Sequence, residues 1–367
     1  PFMNDQRTRK SKFQIFAAVL ITVALFVLPV FSQLNDVQKA ARAKALYDEA
    51  TILVSLEVAK ALQEAFERYR ESRELYSEVG DEIGKAKASL GIGFVLSSLG
   101  ESEGALKAFQ EAQSIFEEKG EIFQQARTLN NIGWLYDSIE DKSKALEYYA
   151  RALPLRRSIG DVRGEAVTLN NIGSVYRDLG ENQKALEYFE SALPAYIAAK
   201  DKHGEAIVLD NLGKVFDNLG DQETALNYLQ RALPIRIAEK DAGGEATTLN
   251  NIGLAYSNSG NEQKALEFYL RSLKIVDYLG SRSMRATLLN NIGAANNDLG
   301  NHQTALENYE AALPLCRAVG DKSCEAIALN NLGLVFFALG KHTEALTNFN
   351  TALPIFREIG ASAFEAI

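Results

Sequence analysis

One short motif recurs every forty residues along this chain. It reads TLNNIG at 128–133, TLNNIG at 168–173, VLDNLG at 208–213, TLNNIG at 248–253, LLNNIG at 288–293 and ALNNLG at 328–333. A degenerate copy, ASLGIG, stands at 88–93. A fixed period of this length makes a stacked array in which each unit buries a face against the next. Length then ceases to limit the core. A chain of 367 residues grows in one dimension instead of dividing into globular domains.

Within one unit, 161–200, Ala166, Leu169, Ile172, Gly173 and Tyr176 recur at helical spacing, and Ala185, Phe189, Ala192 and Leu193 form a second series. Gly180 lies between them, where a helix ends on a left-handed residue. Asp161 is placed to cap the first helix, and Glu165 falls in its first turn, where the helix dipole favours a carboxylate. Each unit is therefore predicted to be a helical hairpin. Gly133, Gly173, Gly213, Gly253, Gly293 and Gly333 fall in mid-helix, where glycine costs ~1 kcal/mol against alanine. The expected cause is close crossing with Ala145, Ala185, Ala225, Ala265, Ala305 and Ala345, with Tyr149, Phe189, Tyr269, Tyr309 and Phe349 filling the space that remains.

This spacing resembles the tetratricopeptide repeat, whose Leu/Ile-Gly pair, aromatic, Ala, aromatic and Ala correspond to Ile132, Gly133, Tyr136, Ala145, Tyr149 and Ala152. The resemblance covers about residues 45–360. The forty-residue period exceeds the family's usual length of about thirty-four. It looks like the kinesin light chain and LGN/Pins branches, and is most similar to bacterial arrays that precede caspase-like CHAT protease domains. The implied fold is all-α, a right-handed superhelical α-solenoid of about eight helix–turn–helix repeats preceded by an apolar N-terminal helix. The expected boundaries are 1–34 for a signal peptide or membrane anchor, 35–80 for a degenerate repeat or cap, and 81–360 for seven 40-residue repeats. Residues 361–367 begin a truncated further repeat. Three departures stand out. Asn296 replaces the ring of Tyr256 and Phe336, which predicts looser packing. Lys200 and Lys240 replace the turn glycine of Gly160, Gly280 and Gly320. Pro154, Pro194, Pro234, Pro314 and Pro354 come three residues before the family's usual place, opposite the apolar stripe of the second helix, where a bend faces water.

The resemblance also implies that the polar arc of each first helix lines a concave groove. Stacking then aligns an asparagine ladder: Asn130/Asn131, Asn170/Asn171, Asp210/Asn211, Asn250/Asn251, Asn290/Asn291 and Asn330/Asn331. A carboxamide donates and accepts, so such a row can hydrogen-bond the main chain of an extended peptide. In the alternative reading, one asparagine of each pair satisfies a neighbouring helix. Trp134, the sole tryptophan, falls on the same arc, where aromatic anchors dominate binding energy. Arg177 and Lys214 are placed to meet acidic groups.

Net charge is −9, with no basic block in the array, which excludes a nucleic-acid partner. No GxSxG, HExxH or phosphate-cradling loop occurs, and His203, His302 and His342 lack metal-ligand spacing. No enzyme activity, metal or cofactor is therefore expected. Cys316 and Cys324 flank one turn, either as a disulfide or as two small buried thiols. At the N-terminus, Arg7, Arg9, Lys10 and Lys12 precede an apolar run ending at Phe31. Residues 13–31 thus read as a cleaved signal or an anchor, with the array exported to the periplasm or beyond and with membrane contact only through that segment. The expected function is a non-catalytic scaffold that binds an extended peptide or partner protein. The alternative is the recognition module of a larger CHAT-type protease.

Overall fold

Short turns leave each helix no course but to fold back on its predecessor. A computed structural model describes residues 34–56 and 58–360. The apolar segment 13–31 and residues 361–367 lie outside them. Two units divide the chain between Leu155 and Arg156. The first holds α1 (Asp36–Val54), α2 (Ala59–Glu78), α3 (Glu82–Ser98), α4 (Ser102–Glu118), α5 (Ile122–Ser138) and most of α6 (Lys142–Ser158). The second holds the end of α6, then α7 (Val162–Asp178), α8 (Asn182–Ala198), α9 (Lys202–Asn218), α10 (Gln222–Ala238) and α11 (Ala242–Asn258). It continues through α12 (Glu262–Leu279), α13 (Arg282–Asp298), α14 (His302–Val319), α15 (Lys322–Ala338) and α16 (His342–Glu358). Among the described residues there is no strand, and no helix is long and apolar enough to cross a membrane.

The turns are written in the sequence. Asp161, Asp201, Asp241 and Asp321 each accept a hydrogen bond from the backbone N–H three residues on, at 2.8–3.0 Å. Each thereby satisfies one orphan donor of a helix start. At the opposite end Gly180 adopts φ 74°. The Gly180 N–H donates to Arg177 O and the Glu181 N–H to Tyr176 O, both at 2.9 Å, a Schellman closure. Glu140, Lys200 and Lys240 take the same left-handed conformation, at φ 64°, 55° and 56°, although their Cβ atoms disfavour it.

At five of the mid-helix glycines the nearest atoms of the partner helix belong to a ring. A Cβ on Gly253 would lie 2.5 Å from Cε1 of Tyr269, and one on Gly173 2.7 Å from the ring of Phe189. Gly133, Gly293 and Gly333 meet Tyr149, Tyr309 and Phe349 in the same way. At Gly213, where Leu229 replaces the ring, the leucine lies 2.6 Å from the added Cβ and Ala225 O 3.2 Å from it. A second set of glycines, in the first turn of the same helices, has the same logic. Gly164, Gly204 and Gly244 leave room for Arg156, Tyr196 and Arg236 from the preceding helix. These are packing sites, and their N–H groups are already held by the capping aspartates.

The helices run unbroken through Pro154, Pro194, Pro234, Pro314 and Pro354, all exposed. Asn296 does not leave a gap where the ring is missing. It is buried, donates to Ile292 O at 2.9 Å and accepts from Asn301 at 3.3 Å. Elsewhere that position stacks on a ring from the second helix, as Tyr176 does on Tyr188 with centroids 5.5 Å apart.

Within each unit the odd-numbered helices touch their own kind. α1 meets α3 and α3 meets α5, while α7, α9, α11, α13 and α15 form a second continuous row. The even-numbered helices make no such mutual contacts among the described residues. First helices therefore lie on the inner side of each unit's curve. Both units are α-solenoids, and eight helical hairpins are described in all.

Candidate functional site

The inner face carries the asparagine row, and two pairs of the row are bonded to each other. In the second unit Asn211 Nδ2 donates to Asn170 Oδ1 at 2.9 Å, and Asn291 Nδ2 donates to Asn250 Oδ1 at 2.9 Å. The second asparagine of one repeat thus reaches the first asparagine of the repeat before. A carboxamide satisfies both roles, so stacked repeats close the pair without a guest. This corrects the picture of a free ladder. Asn170, Asn211, Asn250 and Asn291 hold repeats together, and Asn130 and Asn171 are engaged as well. Asn290 is buried, with Nδ2 3.5 Å from Cys324 Sγ and Oδ1 without a partner.

Other positions on this face keep unspent capacity. Asn330 and Asn331 are half-buried and make no hydrogen bond, and the same holds for Asn131 in the first unit. Trp134, on the same face of α5 as Asn131, is 46% exposed. A Tetratricopeptide repeat model matches residues 86–158, 164–238 and 284–358, and a second of that description matches 246–276.

The chain belongs to the tetratricopeptide repeat family.

No curated protein matches it. Among solved structures it is similar to the apo form of the quorum sensor NprR from B. thuringiensis, at TM-score 0.71 and 16% identity over 95% of each chain. Apo RapI aligns at TM-score 0.62 and 20% identity, covering 76% of this chain and 98% of that one. A Rap protein complexed with Competence and Sporulation Factor aligns at TM-score 0.62 and 15% identity, covering 89% and 99%. At such identities the likeness is one of fold.

One tetratricopeptide repeat breaks the ladder with charge. Asp210 stands in an asparagine position. Its Oδ2 accepts from Arg236 Nη2 at 3.0 Å and from Thr248 at 2.9 Å. Arg236 also pairs with Asp241 at 2.6 Å. Turning the carboxylate to this buried arginine leaves Asp210 Oδ1 and Asn251 Nδ2 buried without partners. Burial raises the Asp210 pKa against the pull of Arg236. One turn on, Lys214 is half-buried and makes no hydrogen bond or ion pair. Burial pushes its ammonium below the ordinary lysine range, and the charge of Arg177 adds to that. Arg177 itself donates to Asn211 Oδ1 at 2.7 Å and pairs with Asp178 at 2.8 Å, so of the two cations only Lys214 is unclaimed. Signals for these roles were present in the sequence. Arg236 shares with Arg156 a position held elsewhere by Tyr196, Val276 and Phe356, and a buried arginine calls for a carboxylate.

Cys316 and Cys324 are joined by a disulfide, with Cα atoms 5.5 Å apart. They occupy the position pair that elsewhere holds Tyr196 with Gly204 or Arg236 with Gly244. Among the described residues no cluster of His, Cys, Asp or Glu has metal-binding arrangement.

Proposed function

We propose that this tetratricopeptide repeat protein is a non-catalytic interaction scaffold that binds an extended polypeptide on the inner face of its first helices. The carrying observation is the contrast along that face. In the second unit Asn170, Asn211, Asn250 and Asn291 are spent between repeats, yet Asn331 and the Lys214 ammonium are held on the same face without partners. A group that water must otherwise satisfy gains on meeting a ligand group. Amides suit main-chain N–H and C=O groups, and Lys214 suits a carboxylate. The Rap complex with Competence and Sporulation Factor supports a face of this fold serving as a receptor surface. The forty-residue period supports kinship with the kinesin light chain and LGN branches. Export is part of the same proposal. It rests on the basic and apolar N-terminal pattern and gains support from the disulfide, which persists in oxidising compartments.

The test uses the full chain as bait, identifies the polypeptide retained, and measures its affinity for a variant carrying Lys214→Met and Asn331→Ala. A loss of about tenfold with unchanged helicity is expected from two polar contacts. Unchanged affinity would remove the proposal. Fractionation of the expressed chain tests export, which fails if the array remains on the cytoplasmic side.

A further inference from the structure

The degenerate copy ASLGIG differs from the other six at both ladder positions, with Leu90 and Gly91 where Asn or Asp pairs stand elsewhere. Both changes leave a mark on the first unit. Asn211 and Asn291 each donate to the residue forty-one positions earlier. For Asn131 that residue is Leu90, which has no acceptor, and Asn131 makes no hydrogen bond. Gly91 in turn lets the Tyr69 ring lie over its bare Cα, where a Cβ would stand 2.7 Å from the ring.

Beside Gly91 opens a cavity of about 190 Å³, walled by Tyr47, Tyr69, Leu90 and Phe94 and bordered by Arg127 and Asn131. Tyr69 and Leu90 are buried, Arg127 is exposed, and Arg127 has no ion pair. The Tyr69 hydroxyl is already satisfied by Thr51 at 3.0 Å, so the ring walls ask for no polar guest. Tyr47 and Tyr69 meet edge to face, with centroids 5.3 Å apart. An apolar cavity of roughly 150 Å³ holds a benzene ring, and aromatic rings favour edge-to-face neighbours. The cationic and amide groups at the border match carbonyl oxygens beside such a ring.

We propose that this cavity is the anchor pocket for a phenylalanine side chain of a polypeptide bound on the inner face of the first unit. Main-chain carbonyls flanking that ring accept from Asn131 and Arg127. The inference rests on the polypeptide-binding reading given above and deepens it to a side-chain preference. It also assigns a role to the irregular first motif. Losing two asparagines converts a repeat-to-repeat bond into a pocket with an unspent amide at its edge.

The probe is the capped pentapeptide acetyl-Gly-Ser-Phe-Ser-Gly-amide, compared with the same peptide carrying alanine for phenylalanine. Binding to the full chain is followed by saturation transfer to the peptide protons and by Trp134 emission. Burying the ring should favour the phenylalanine peptide by roughly 10–100-fold. Thr51→Phe changes an exposed residue of α1 that lines the cavity and fills the space, but it also removes the partner of the Tyr69 hydroxyl, so Thr51→Val serves as the control that loses the bond and leaves the space open. Thr51→Phe should abolish the preference, and Thr51→Val should keep it. Arg127→Met with Asn131→Ala should weaken the phenylalanine peptide about tenfold. Gly91→Asn is not used, because its Cβ would strike Tyr69. Equal binding of the two peptides, a preference that survives Thr51→Phe, or no saturable signal up to about 10 mM would overturn the pocket. If the ring preference is absent while the natural partner is still lost on Lys214→Met with Asn331→Ala, the pocket falls and the inner-face reading stands. If the ring preference is present and that double variant keeps the natural partner, the pocket stands and the inner-face reading falls.

Discussion

Gly253→Ala should change the sign of its effect with the residue across from it. In the native chain the new Cβ would lie 2.5 Å from Cε1 and 2.6 Å from Cδ1 of Tyr269. Carbon atoms settle at about 3.5–4.0 Å. The ring is 1% exposed and packed against Ala246, Leu288 and Ile292, so it has nowhere to swing. Overpacking of this kind costs ~1–3 kcal/mol. Replacing glycine by alanine within a helix returns ~1 kcal/mol. The net expectation is a loss of about 0–2 kcal/mol, from the same two terms. Tyr269→Ala alone should cost about 3–5 kcal/mol through the cavity it leaves. In that background the methyl at position 253 meets no ring, only the helix-propensity term survives, and Gly253→Ala should stabilise by ~1 kcal/mol. The coupling energy from the double-mutant cycle is then about 1–3 kcal/mol. Urea unfolding followed by circular dichroism measures it, compared only among variants sharing one m-value, since repeat arrays can lose cooperativity. Additive effects, or the same sign in both backgrounds, would refute the claim that the ring dictates the glycine.

Three other expectations follow from the same geometry. Lys200→Gly and Lys240→Gly relieve left-handed backbone at φ 55° and 56° and should each stabilise by about 0.5–1 kcal/mol after the unfolded-state entropy of glycine is counted, read as a higher urea midpoint. Burial raises the Asp217 pKa, so ionising this carboxylate costs the folded state stability as pH climbs from the unfolded to the folded pKa. Asp217→Asn keeps the acceptor for Asn258 and should be the more stable form at about pH 7.5, with the advantage fading towards about pH 4; a gap independent of pH counts against it. Reducing the Cys316–Cys324 bond, with a sequence separation of 8, should cost about 2–3 kcal/mol by loop entropy, and thiol titration of the denatured, unreduced chain should find none free.

The hairpins, caps and turn glycines were legible because each depends on a few residues at fixed spacing. Asp161 and Gly180 act as local rules require. The mid-helix glycines were legible as a cost but not as a cause, since ring and alanine lie on the same partner helix and only packing tells which reaches Gly253. The ladder was legible as a row but not as a bond. The donor and acceptor are offset by a repeat plus one residue, and helical phase within one repeat does not reveal that offset. The signal that could have found it is self-complementarity. Both members of the pair are amides in nearly every copy, and both are absent together in ASLGIG. The Asp210–Arg236–Thr248 network was hidden for a different reason. It joins two repeats through a side chain that periodicity treats as a mere departure from an apolar position.

The central claim divides the asparagines of the inner face into those that hold the stack and those that meet a guest. A paired measurement of stability and affinity on two single variants tests it most directly. Asn250 accepts from Asn291 at 2.9 Å, so Asn250→Ala should lower stability by about 1–3 kcal/mol and leave the affinity of the folded array for its polypeptide unchanged. Asn331 has no partner, so Asn331→Ala should leave the urea midpoint in place and weaken binding severalfold. The reverse pattern, or binding lost in both without loss of stability, would contradict the division.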